Sequence, residues 1–205
     1  MSGAPYPALA LLEFASVAAG IVAGDAMVKR APLSGLWAGT VQPGHYLVLV
    51  AGDTASVVEA IDAGVSASGE ALLDQVFLPD VHPDVVTAVR GGTVAGSIEA
   101  LGIVETTFVA STIEAADAGV KGATVTIVEL RVADGLGGKG YVLFGGTVPD
   151  VEAAVEIGSA RVPPGHLIRA TVIANLHPEM TENIEGAARF GERVGRDRRG
   201  PDAAR

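Results

Sequence analysis

The sequence predicts an α/β chain built from two tandem copies of one small domain. Each copy is expected to be a four-stranded, antiparallel-rich sheet with helices on one side, an α+β sandwich-like unit. Three observations carry this expectation. The stretch Leu11 to Ala31 returns in the second half, pairing Glu13 with Glu105, Asp25 with Asp117, Lys29 with Lys121 and Ala31 with Ala123, always 92 positions apart. Short apolar runs alternate with Ala-rich segments of helical spacing in both halves. A His-Pro dipeptide closes each half, His82-Pro83 and His177-Pro178, 95 positions apart. A repeat of this length is far longer than a solenoid unit and reads as a duplicated domain.

Taken in order, Ala8 to Phe14 is an apolar run with the length of a buried strand. Ser16 offers an N-cap to a helix ending at Arg30, where Pro32 forbids continuation. Gly20 and Gly24 lower the intrinsic propensity of that helix. Asp25 and Lys29 stand four apart with the acid first, the favourable order for a helix pair. Leu33 to Thr40 and His45 to Val50 are strands joined by the turn Gln42-Pro43-Gly44. Gly52-Asp53-Thr54 breaks the second of them and caps a helix reaching about Ser68 through Val57, Val58, Ile61 and Val65. Ala71 to Leu78 is the fourth strand, and His82-Pro83-Asp84 opens a short helix through Val89 with Pro in its first turn.

The second copy repeats this order. Leu101 to Thr106 is a strand and Phe108 to Lys121 a helix. Strands follow at Thr124 to Ala133 and Tyr141 to Phe144, joined by a glycine-rich loop. A helix spans Pro149 to Ser159, Leu167 to Ala174 is the last strand, and His177-Pro178-Glu179 opens the last helix. The expected divisions are a first domain at 1–90, a linker at 91–97, a second domain at 98–185 and a tail at 186–205. The arginine-rich tail is expected to be disordered beyond its first residues.

Composition narrows the function. The formal charge of −10 argues against nucleic acid as the main partner. Cysteine is absent, which removes disulfides, thiolate metal sites and cysteine-held iron–sulfur clusters. Mean hydropathy is high at +0.41, yet no uncharged apolar run reaches the length of a membrane span. The N-terminal stretch lacks the basic region of a secretory signal. The apolar excess is mostly Ala and Val, which suits surfaces hidden in an assembly.

Catalytic and metal chemistry find little support. Gly135-Leu136-Gly137-Gly138-Lys139-Gly140 formally matches a dinucleotide fingerprint, but the strand Tyr141–Phe144 follows where a helix is required. The loop reads as a hairpin turn needing positive φ. His45, His82, His166 and His177 show no metal-ligand spacing, and the recurring His-Pro pair reads as a capping device. Glu13 and Glu105 end matching strands, where a carboxylate commonly accepts backbone hydrogen bonds. Neither a catalytic set nor a resident cofactor or metal is expected.

Taken together, the strand ending in Glu, the helix motif Ala-Asp-Ala-x-Val-Lys-x-Ala, the glycine-rich turn and the strand ending near His-Pro resemble the bacterial microcompartment (BMC) shell domain. Two copies in unpermuted order resemble the tandem-domain shell proteins, BMC-T, over about residues 8–185. The resemblance implies a non-enzymatic homotrimer, pseudohexagonal because six domain copies surround one axis. It implies a tile packing beside hexameric and pentameric shell tiles in the bacterial cytoplasm, with no nucleic acid or membrane partner. The turn between the second and third strands of each copy would line a pore for small metabolites, here Gln42, Pro43 and Gly44 with Leu136, Gly137 and Gly138. Tile-edge contacts would fall to Lys29 and Lys121, with Asp80 and Asn175 where the family often carries an arginine. The alternative is a small-ligand binding or sensor protein on the same repeated domain, with its ligand at Gly135–Gly140.

Overall fold

The computed structural model describes residues 7–92 and 98–186. Most of the linker and nearly all of the tail expected above lie outside the described residues.

The first half runs β1 (Ala8–Phe14), α1 (Val17–Arg30), β2 (Gly35–Val41), β3 (His45–Gly52), α2 (Thr54–Ser68), a 3-10 turn (Gly69–Ala71), β4 (Leu72–Leu78) and α3 (Pro83–Val89). The second runs β5 (Ala100–Thr106), α4 (Val109–Gly122), β6 (Thr126–Val132), β7 (Gly140–Gly146), α5 (Val148–Arg161), β8 (Leu167–Ile173) and α6 (Pro178–Gly186). Each half makes one four-stranded antiparallel sheet, ordered β2-β3-β1-β4 and β6-β7-β5-β8. Even the irregularities match: β1 slips against β4 at Glu13/Phe14, and β5 slips against β8 at Glu105/Thr106.

Local chemistry accounts for the helix starts. Ser16 Oγ accepts the Ala19 amide, Asp53 accepts the Ser56 amide and Thr147 accepts that of Asp150. His82 and His177 cap α3 and α6 alike, each Nδ1 accepting an amide two residues on at 3.3 Å. The lowered helix propensity at Gly20 has a packing reason. A Cβ there would come within 2.5 Å of the Tyr46 ring, so glycine lets α1 sit close on β3.

The first sheet is buried on both faces. Ala8, Ala10, Leu12 and Phe14 of β1 join Met27, Val48, Val50 and Val57 in a core beneath α1 and α2. The opposite face, Leu9 and Leu11 of β1 with Val76 and Leu78 of β4, joins a core running into the second domain through Val109, Ile113 and Val120 of α4. The helix α4 therefore serves two sheets, its own and that of the first domain. This is why ten of its fourteen residues are buried, against four in α1. Among the described residues no helix is long and apolar enough to cross a membrane.

Candidate functional site

The polar chemistry of the chain concentrates along the seam where α4 meets the first domain. At the N-terminal end of α4, the N-cap residue Phe108 supplies no side-chain cap. The first domain supplies it instead. Glu13 Oε2 accepts the Val109 amide at 2.9 Å, and Asp74 Oδ2 accepts the Ser111 amide at 3.0 Å and its hydroxyl at 2.6 Å. Two carboxylates thus meet the positive end of the helix dipole.

Each carboxylate is backed by a histidine. His45 Nδ1 lies 2.8 Å from Glu13 Oε1, and His166 Nδ1 lies 2.9 Å from Ser111 Oγ and 3.5 Å from Asp74. The His166 ring is held edge-on against Phe108. Glu13 is fully buried, and burial pushes its carboxyl above the usual range, opposed by the hydrogen bonds from His45 and Val109. Ser111, His166 and Asp74 touch, but the hydroxyl donates to the carboxylate and is itself buried. The arrangement caps a helix and leaves no nucleophile facing solvent.

At the other end of α4, about 18 Å along the axis at 1.5 Å per residue, a second polar group closes the seam. Asp117 Oδ1 accepts the His82 amide at 2.8 Å. Lys121 Nζ bonds Asp117 Oδ2 at 2.6 Å and also the Asp80 carbonyl. Of the four residues expected at tile edges, Lys121 and Asp80 are therefore in contact within the chain, through the Asp80 backbone. Lys29 pairs with Asp25 at 2.5 Å on an exposed surface, and Asn175 is exposed at the corner before α6.

The two turns expected to line a pore come together. A Cβ added to Gly138 would lie 2.9 Å from Pro43 Cδ and 3.2 Å from Gln42 O, so the second turn rests directly on the first. The turn is built as the sequence indicates, with Gly135, Gly137 and Gly138 all at positive φ, as is Gly44 in the first copy. Both turns stand at the N-terminal end of α4, and the residues that follow them are wired alike. His45 bonds Glu13, and Lys139 bonds Glu105, each at 2.8 Å. Sequence reasoning marked the two glutamates as hydrogen-bond acceptors but missed His45 and Lys139 as their partners, and it missed His166 beside Ser111 and Asp74. The available signal was His45 and Lys139 standing at matching places after the two turns.

A separate apolar cavity of about 260 Å³ lies between α3 and the first sheet, lined by Leu9, Trp37, Leu49, Val86 and Val89, with Arg90 at its edge over the Trp37 ring. Among the described residues no group of three or more His, Asp or Glu is placed to hold a metal ion.

Comparisons with known proteins agree with this architecture. The family model of the BMC domain matches twice, at residues 8–81 and 100–176. The bacterial microcompartment shell protein PduT of Citrobacter freundii is 40% identical over 181 residues, covering 87% of this chain and 98% of that protein. A crystal structure of a microcompartment protein from Desulfitobacterium hafniense is 41% identical, with a TM-score of 0.73 over 85% of this chain and 98% of the other. A fused permuted hexameric shell protein of the RMM microcompartment shares the fold at 21% identity and a TM-score of 0.53, covering 75% of this chain and 80% of its own. With two matched domains in tandem and close relatives along nearly their whole length, the chain belongs to the BMC-domain family as a tandem-domain bacterial microcompartment shell protein.

Proposed function

We propose that this shell protein works as a homotrimeric, pseudohexagonal tile whose centre is a pore for small metabolites. The observation that carries the reading is the contact between the Gln42-Pro43-Gly44 turn and the Leu136-Gly137-Gly138 turn. Two copies of one domain place equivalent turns side by side, at the same end of the seam. Three chains repeating that step would bring six turns around one axis, a closed arrangement of the kind point-group symmetry favours. Backbone amides and carbonyls from the glycines, with the Gln42 amide, would then line the opening and suit small polar solutes.

The far end of the seam, with Lys121 and Asp80, then lies away from the axis. Lys29 and Asn175 hold the matching positions in the other copy of each domain, so all four residues stand where a neighbouring hexameric or pentameric tile would abut. The role is structural and non-enzymatic, in the bacterial cytoplasm. The Ser111–His166–Asp74 contact supports this, because its hydroxyl is spent on Asp74 and is shielded from any substrate.

Native mass measurement tests the reading together with electron microscopy of concentrated protein. A threefold mass and flat hexagonal layers are expected. A monomer at micromolar concentration that forms no layers and binds a metabolite saturably would favour a sensor instead.

A further inference from the structure

Register builds the apolar cavity between α3 and the first sheet. Gly35 and Trp37 of β2 stand opposite Ala51 and Leu49 of β3, and Leu9 of β1 stands opposite Ala51, so these residues share one face of the sheet. A Cβ at Gly35 would collide with the Trp37 ring, so glycine there lets the indole lie along β2. Val86 and Val89, three apart on α3, close the other side, and the floor at Leu9 and Ala51 is buried. Between them about 260 Å³ of apolar space stays unfilled. An engineered apolar cavity of about 150 Å³ stays dry and takes up benzene, and on that scale this one admits an apolar body of about ten carbon atoms.

The rim of the cavity is cationic. Trp37 is 46% exposed, and Arg90, the C-cap residue of α3, stands over it with Cζ 5.7 Å from the ring centroid. Among the described residues no carboxylate pairs with Arg90, although the chain carries 24 acidic side chains against 14 lysines and arginines. The arrangement belongs to the first copy. Glu129 takes the place of Trp37, opposite Leu143 as Trp37 is opposite Leu49, and Glu129 already accepts the Tyr141 hydroxyl at 2.8 Å. Counted from the two His-Pro pairs, Thr181 and Glu185 take the places of Val86 and Arg90. The histidine caps and the strand-end glutamates, which build the domain, recur in both copies. The Trp37–Arg90 pair does not, and the residues in its place carry the opposite charge, so it is not a requirement of the shared fold.

We propose that this cavity binds a small amphipathic monocarboxylate, with its apolar body between Leu49 and the two valines of α3 and its carboxylate on Arg90. Three features select that chemistry. The apolar walls favour a hydrocarbon or aryl body over a polar solute. A single guanidinium presents a planar fork of donors that matches one carboxylate. The net charge of −10 disfavours more highly charged anions. The site lies within one chain, toward the Gly35 end of β2, whereas the Gln42-Pro43-Gly44 turn follows its other end. It therefore does not depend on the ring reading. Because α3 also packs on β6, and its His82 amide donates to Asp117, a ligand under α3 braces the seam between the domains.

Trp37 is the only tryptophan of the chain, so its fluorescence reads the cavity directly. The full-length protein is titrated with octanoate below its micellar concentration, beside 1-octanol, which has the body without the charge, and butyrate, which has the charge with little body. Octanoate is expected to change the Trp37 emission saturably, to raise Tm and to bind tighter than either control. The exposed substitution Arg90→Gln should weaken octanoate by about tenfold and change 1-octanol by less than about twofold. Val86→Phe and Val89→Phe each fill the cavity from a half-buried position and should abolish the octanoate response with helical circular dichroism retained. No saturable response of the wild type to octanoate would overturn the site, since another segment or a second copy would then occupy the space. Equal weakening of octanoate and 1-octanol by Arg90→Gln would overturn the carboxylate anchor, and undiminished octanoate binding by both filled variants would place the ligand outside the cavity.

Discussion

The carboxylate of Glu13 caps α4 at Val109, across 96 residues of chain. A helix without its own side-chain cap is thereby completed by another domain. The contrast with α1, capped by its own Ser16, gives the duplication a direction. The leading helix of the first copy is capped from within its own domain, and that of the second is capped by the first.

Removing this cap should weaken the whole chain. Glu13→Ala leaves the Val109 amide and the His45 ring without their acceptor in a buried site, at a cost of about 2–4 kcal/mol. Glu13→Gln keeps an acceptor for the amide and should cost about 1 kcal/mol. Urea unfolding at fixed protein concentration checks the ranking. Equal losses for the two variants would show that the carboxylate oxygens do not cap the helix.

The same residue should leave a pH signature. Burial raises the Glu13 carboxyl above its ordinary value of 4.5. The native chain therefore keeps this proton over a window in which the unfolded chain has lost it. Stability contributed by Glu13 is then fully present below about pH 4.5 and declines as pH rises through the raised value. Measured against Glu13→Gln at pH 4, 5, 6 and 7, the wild type should lose ground with rising pH. A gap that moves the other way would mean that the His45 and Val109 bonds outweigh burial.

The cores of the two copies are filled differently, and this predicts a coupled pair. Met27 of α1 and Gly119 of α4 hold equivalent positions, as do Val50 and Phe144. The helix position is large and the strand position smaller in the first copy, and the reverse holds in the second. A Cβ at Gly119 would lie 2.5 Å from the Phe144 ring tip. Gly119→Ala should cost about 1–3 kcal/mol by overpacking. Adding Phe144→Leu should recover part of that loss, giving a double-mutant coupling of about 0.5 kcal/mol or more. Additive losses would show that the ring does not set the space at Gly119.

The duplicated fold was legible because its signals are local. Ser16, Asp53 and the two His-Pro pairs are caps with a fixed spacing, and the apolar runs fix the strands to within two or three residues. Strand ends were less legible: β3 runs into the breaker and continues to Gly52 because Ala51 and Gly52 still pair with β1. The seam was the least legible part. Nothing in the string Thr-Phe-Val-Ala-Ser says that Val109 and Ser111 will be capped by Glu13 and Asp74, because that depends on where α4 lies after the domains pack. The resemblance singled out the two turns as candidates to line a pore, and the fold shows that they touch.

Those turns carry the last prediction. Gly137 and Gly138 both have positive φ, but their surroundings differ. A Cβ at Gly138 meets Pro43 at 2.9 Å, whereas one at Gly137 meets nothing within 4 Å. Gly138→Val would combine backbone strain with a clash between the two turns and should lower stability by about 2 kcal/mol. Gly137→Asn places a residue tolerant of the left-handed region in open space and should change stability by less than about 1 kcal/mol. If Gly137 faces the central opening, its side chain adds three amides to the pore and should reduce single-channel conductance in planar bilayers. Because the fold is left intact, the conductance reports on the opening alone. Wild-type conductance from a normally folded Gly137→Asn would place the constriction elsewhere.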